Sequence, residues 1–191
     1  MKTIEEFDFT IQPSIDRAKI AHLETSAWIS QASNVIFLGP PGTGKTHLAI
    51  GLGVIAARQG YRVLFDTAAG WVQKLTQAHD QGELPKLLTK LGRYDLLVVD
   101  EVGYIPIEAE AANLFFQLVS TRYEKASLIM TSNLPFSRWG ECFGDQTIAA
   151  AMIDRVVHHA EILTHKGTSY RINGHEDILP SVNAERSKAL E

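Results

Sequence analysis

Short apolar runs alternate along this chain with longer stretches of helical spacing, and that alternation predicts a parallel sheet wrapped by helices. Residues 34–38 (NVIFL) form an apolar run that meets a glycine-rich turn, the pattern of a buried strand. Residues 45–59 carry apolar side chains on several sides and predict a helix, with Gly60 at its C′ position. A second strand is expected over 61–66, helices over 69–79 and 84–91, and a third strand over 95–100 (DLLVVD). A long helix over 108–124 leads to a fourth strand over 127–131 (SLIMT), and a helix over 146–158 to a fifth over 161–164. Strands this uniformly apolar are covered on both faces, so the expected class is a three-layer α/β fold. Ahead of it, residues 1–13 read as an extended arm bearing Phe7 and Phe9. Residues 14–30 read as one helix, with Ser14 as N-cap and Ile15, Ala18, Leu23 and Ala27 among its apolar positions. Beyond Ile172 the chain turns polar and is expected to be loosely held. The chain then divides into an arm and helix (1–30), an α/β domain (31–172) and a polar tail (173–191).

Composition narrows the picture. A chain of 191 residues, 45% hydrophobic and 21% charged, suits one domain with a sizeable core. The formal charge of −4 removes any bulk attraction to nucleic acid, so a DNA surface must be a local patch or be built by oligomerisation. Cys142 is the single cysteine, which excludes an intrachain disulfide and a cysteine-based zinc cluster and fits a reducing compartment. No apolar run reaches membrane-spanning length and the opening MKTIEEFDF is acidic, so a cytoplasmic chain without a membrane partner is expected.

The strongest chemical signal is Gly39-Pro-Pro-Gly-Thr-Gly-Lys-Thr46, a complete G-x-x-x-x-G-K-[ST] pattern between a predicted strand and a predicted helix. Glycines let the backbone curl so that successive N–H groups face a phosphate, and the helix N-terminus adds partial positive charge. Lys45 can reach the β- and γ-phosphates as a point charge, and the Thr46 hydroxyl can ligate Mg²⁺. The expected nucleotide-binding set is Gly39, Pro40, Pro41, Gly42, Thr43, Gly44, Lys45, Thr46 and His47.

The third strand ends in Asp100 and Glu101. At the carboxyl edge of such a sheet Asp100 is placed to hold the metal's hydration shell, and Glu101 to act as general base on water. An Asp-Glu pair points to hydrolysis, because a small-molecule kinase must keep water from the γ-phosphate. The fourth strand ends in Thr131-Ser-Asn133. Asn133 either touches the γ-phosphate and the lytic water or simply forms the turn before Leu-Pro. Arg155 falls within about 60° of Ile148 and Met152 on the helical wheel. It either lays its stem over apolar surface or docks against another chain, as a trans arginine finger does. His158, His159 and His165 lack a cysteine partner, and the adjacent pair should diverge on a helix, so they read as solvated or packed side chains. Trp71, Trp139 and Phe136 read as packing residues.

Together, GPPGTGKTHLA at 39–49, LLVVDEVGY at 96–104, IMTSN at 129–133, DRVVHHAEIL at 154–163 and the arm EEFDFTIQPSID at 5–16 resemble the IstB-like ATP-binding proteins. That family comprises ATP-dependent helpers of bacterial insertion-sequence transposases and is similar to the DnaC helicase loaders. The similarity runs from about residue 3 to residue 172. Many ATPases share the phosphate loop. The HLA continuation, the DEVGY segment and the DRVVHHAEIL block are more specific. The resemblance implies an AAA+ domain with a five-stranded parallel sheet and little or no lid, using ATP and Mg²⁺. It implies that Asn133 is at the sensor-1 position and that Arg155 is the arginine finger. It further implies a homo-oligomer that shares ATP between subunits, assembles on target duplex DNA and stimulates a partner transposase; a helicase-loader ATPase is the alternative. Tyr170-Arg171 matches a family segment to which no role is assigned. Family members usually carry a further region ahead of the arm, so a truncated chain, with assembly and DNA-binding determinants outside it, is expected.

Overall fold

The computed structural model describes residues 2–167 and 169. Five strands, Asn34–Leu38 (β1), Val63–Thr67 (β2), Leu96–Val102 (β3), Ser127–Ser132 (β4) and Ala160–Thr164 (β5), lie in the order β2-β3-β4-β1-β5. Every neighbouring pair is parallel. From β1 the chain crosses to the far edge at β2, works back through β3 and β4, and passes β1 to finish at β5. The carboxyl ends of β1, β4 and β3 therefore lie side by side, the place where open α/β sheets bind ligands.

The period of two along each strand sorts side chains onto two cores. Ile36, Leu38, Leu97, Val99, Leu128 and Met130 face one layer of helices: Ala68–Asp80 (α4), Leu84–Leu91 (α5), Ala109–Arg122 (α6), Trp139–Phe143 (α7) and Gln146–Val157 (α8). Val35, Phe37, Leu96, Val98, Ile129 and Leu163 face the other: Arg17–Glu24 (α1), Ala27–Ser30 (α2), Lys45–Arg58 (α3) and Ile4 of the arm. Each such fully buried side chain contributes roughly 1.5–3 kcal/mol relative to exposure, so the strands are fixed from both faces. The interior strands β1 and β4 are buried throughout, whereas the edge strand β2 exposes Phe65.

The predicted elements are present, with differences that have local causes. The helix expected over 14–30 is two helices, α1 and α2, broken where Ser26 takes φ 56°. Its N-cap is Asp16, whose carboxylate accepts from Ala18 N at 2.8 Å. The Ser14 hydroxyl is engaged elsewhere, donating to Gln12 Oε1 and accepting from Lys166 N at 2.9 Å. Ala18 and Ala27 are exposed, and Ile20, Trp28 and Ile29 bury the helices instead. The arm is a series of turns rather than an extended segment, with Ile4 and Gln12 buried. Strand β3 does not stop at Asp100 but continues to Val102 through a register shift against β4. A short 3₁₀ turn, Phe136–Arg138, and α7 were not predicted. Residues 173–191, read as a tail, lie outside the described residues.

Candidate nucleotide site

Leu38 ends β1, and the loop that follows curls back under α3. Gly39, Gly42 and Gly44 take φ of 144°, 76° and 89°. A side chain at Gly39 would run into the backbone carbonyl of His165, and one at Gly44 into the ring of Phe7. Lys45 opens α3 and is buried; its Nζ donates to Pro40 O at 2.6 Å, and Thr43 Oγ1 donates to the same carbonyl at 2.8 Å. The carbonyl of Thr43 accepts from His165 Nδ1 at 2.8 Å and from Gln12 Nε2 at 3.3 Å. The end of β5 and the arm thus pin the loop from beneath. No side chain caps α3, because its N-cap is Gly44. The helix terminus therefore offers its first N–H groups and positive dipole end to an anion.

His165 is almost wholly buried beside Phe37, and burial pushes its imidazole down to about 4. It is neutral at physiological pH, with the proton on Nδ1 to serve Thr43 O. Its Nε2 has no hydrogen-bond partner among the described residues. It is a packed histidine, as expected.

The acidic pair is divided by the β3 irregularity. Asp100 points inward, and its Oδ1 accepts from Thr46 Oγ1 at 2.9 Å and from Thr131 Oγ1 at 2.5 Å. Thr131 Oγ1 in turn accepts from Glu101 N at 2.9 Å. The register shift between Val99 and Val102 inserts a kink that turns Glu101 outward, with φ 61°. A glutamate in that left-handed region costs about 1–2 kcal/mol, held by the pairing around it. One cleft of about 390 Å³ gathers Lys45, Thr46, His47, Glu101, Thr131 and Asn133. The His47 side chain is committed to the arm, through Nε2 and Thr3 O at 2.6 Å and an edge contact with Phe7.

These groups suit a nucleoside triphosphate with Mg²⁺. The glycine loop, the uncapped helix terminus and Lys45 match the phosphates, and the Thr46 hydroxyl beside the Asp100 carboxylate is a hard-oxygen pair. Thr131 is the residue that sequence reasoning passed over. It lies in a strand end already singled out, but only the β3–β4 pairing reveals that its hydroxyl joins the Asp100 carboxylate to the Glu101 backbone N–H.

Arg155 lies apart from this cleft, in the last turn of α8. Its guanidinium sits 4.5 Å from the centroid of the Phe116 ring, and Nη1 donates weakly to Ala151 O at 3.4 Å. Among the described residues it forms no ion pair with a carboxylate. The expectation that His158 and His159 diverge on a helix is corrected: α8 ends at Val157, and past its end the two rings lie close, tilted by 48° with centroids 4.2 Å apart. Trp71 and Trp139 are fully buried, their indole N–H groups donating to Val98 O at 3.0 Å and Leu134 O at 3.3 Å. Phe136 packs edge-on against Trp139, so all three are packing residues as read. Tyr170 and Arg171 lie outside the described residues. No helix among the described residues is long and apolar enough to cross a membrane.

Comparison with known proteins identifies the family of the chain. The family described as IstB-like ATP binding protein matches residues 1–177. An ATP-binding protein of insertion sequence IS21 from Pseudomonas aeruginosa is 49% identical over 172 residues, covering 90% of this chain and 65% of the relative. One of insertion sequence IS5376 from Geobacillus stearothermophilus is 46% identical over 171 residues, covering 90% and 68%. The chain thus spans about two thirds of the length of these relatives. Among solved structures, the DnaC helicase loader superposes with a TM-score of 0.67 at 22% identity, covering 80% of this chain and 90% of that one, which shows that the two share one α/β fold. With nearly its whole length matched, the chain belongs to the IstB-like ATP-binding protein family.

Proposed function

We propose that this chain is a cytoplasmic ATP-hydrolysing helper of DNA transposition, which assembles with ATP on target duplex DNA to recruit and stimulate a transposase. The observation that carries the chemistry is the convergence of Lys45, Thr46, Glu101, Thr131 and Asn133 on one cleft, with Asp100 beneath it. The loop N–H groups and Lys45 hold the phosphates, and Lys45 exchanges the Pro40 carbonyl for them. Thr46 and Asp100 hold Mg²⁺, which when bound neutralises charge on the phosphate oxygens. Glu101, turned outward by the kink in β3, takes the proton of the attacking water. Asn133 orients that water against the γ-phosphate, and Thr131 keeps the two acids in register. Arg155 of a neighbouring copy supplies charge to the transition state; its lack of a carboxylate partner among the described residues and its distance from its own cleft support a role in trans. The insertion sequences named for the relatives support the link to transposition.

Glu101→Gln should leave ATP binding within about twofold and lower turnover by about 10²–10⁴-fold. Binding by a fluorescent ATP analogue and phosphate release together measure this. Equal loss of binding and turnover would sink the base assignment. Co-purification with a replicative helicase instead of a transposase would replace the partner reading with that of a loader.

A further inference from the structure

Where α6 ends, donors from two segments meet outside the nucleotide cleft. Tyr123 caps α6, and Glu124 follows in the left-handed region at φ 57°, a conformation glutamate seldom takes. Across from it the chain leaves α8 at Val157 and enters β5 at Ala160, so His158 and His159 lie in the turn between. Glu124 Oε1 is 3.7 Å from His158 Nδ1 and 3.8 Å from His159 Nε2. One ligand atom from each of the three lies within 4.8 Å of the others.

We infer that Glu124, His158 and His159 form a binding site for a divalent transition-metal ion of the Zn²⁺ class. Two imidazole nitrogens and a carboxylate oxygen are the donor set of open three-ligand zinc sites, whereas Mg²⁺ prefers oxygen alone. Bonds of about 2.0–2.2 Å in a tetrahedral arrangement put ligand atoms roughly 3.3–3.5 Å apart. The Glu124–imidazole separations need to close by only a few tenths of an ångström. The three side chains are about half exposed, which gives an ion and its waters a way in. The Tyr123 hydroxyl holds the His158 ring at 2.8 Å from Nδ1 and yields that lone pair to the ion. The fourth position is open to water or to a ligand from another molecule. A pair of histidines that merely neutralise Glu124 when protonated would need no metal, and this separates the two readings.

The test is a titration of the nucleotide-free chain with Zn²⁺ against a chromophoric chelator, repeated with Mg²⁺. The expected result is one Zn²⁺ per chain with low-micromolar affinity and no comparable affinity for Mg²⁺. Glu124→Gln and His159→Gln should each weaken Zn²⁺ at least tenfold, and the double variant His158→Gln/His159→Gln should abolish the site. Metal-free thermal unfolding of each variant should match the parent, because the replaced side chains are exposed. In a variant that does unfold early, the Co²⁺ absorption spectrum of the parent chain decides instead: tetrahedral visible bands support the site and their absence overturns it. Failure of the parent chain to bind Zn²⁺ below about 1 mM, or undiminished binding by the double variant, overturns the inference. Neither readout involves ATP, so the result stands apart from the proposed hydrolysis.

Discussion

The carboxyl edge of the sheet and the corner between α8 and β5 hold their polar groups in opposite ways. At the sheet edge the groups are buried and bonded to one another. Asp100 accepts two hydroxyls, Lys45 holds Pro40 O, and the Thr43 carbonyl takes two donors from beneath the loop. At the corner, Arg155 leans on the Phe116 ring, and Glu124, His158 and His159 stand half exposed with only long contacts between them. Burial in a low-dielectric interior strengthens each bond of the first set, and an unsatisfied member would cost about 1–3 kcal/mol. The half-buried cation–π contact of Arg155 on Phe116 contributes about 0.5–2 kcal/mol. On the proposed function, most groups that act on a ligand within one chain are locked before it arrives, and those that would meet another molecule are held lightly.

Four changes test this contrast. Arg155→Ala should have the largest effect, a fall in turnover of about 10³-fold or more with ATP affinity unchanged, read by phosphate release beside equilibrium binding. Thr131→Val should act through the locked region. Asp100 loses a donor and Glu101 N an acceptor, so denaturant unfolding should show a loss of about 1–3 kcal/mol and turnover should fall about tenfold. The His165 imidazole titrates near 4 when folded and near 6.5 when unfolded, so the unfolded chain takes up the proton first as pH falls. Its contribution is complete above 6.5 and is lost between 6.5 and about 4. His165→Phe should therefore flatten the stability profile in that window, seen as a smaller shift in the urea midpoint between pH 7 and pH 4.5. Phe116→Leu should be mildest, lowering turnover a few-fold without changing ATP affinity, because it frees the Arg155 guanidinium and leaves the cleft intact.

Much of the cleft was legible because its determinants are contiguous. The loop at 39–46 and the run ending at Asp100 each carry their own strand–loop context, and a parallel sheet brings such ends to one edge. The helices that were readable, such as α5, have clear periodicity. α7 was not, since Trp139–Phe143 is barely longer than a turn and contains Gly140, and its burial against α8 comes from tertiary packing. The cap at Asp16 rather than Ser14 was ambiguous because both are good N-caps two positions apart, and Ser14 is drawn off by Lys166, distant in sequence. Thr131, Gln12 and His165 act through partners 30 to 122 positions away, pairings no local pattern encodes. The closeness of His158 and His159 depended on the last helical residue, and periodicity places such boundaries only to within a few residues.

If Arg155 of one chain completes the cleft of another, two variants defective in different parts should restore each other. Mixing two variants tests it most directly: Glu101→Gln keeps Arg155 but lacks the base, and Arg155→Ala keeps the base but lacks the finger. With ATP, Mg²⁺ and duplex DNA, turnover by the mixture should rise well above that of either variant alone and peak near equal proportions. A mixture no more active than the sum of its parts, at concentrations where the parent chain turns over ATP, would contradict a shared site and return Arg155 to a packing role on Phe116.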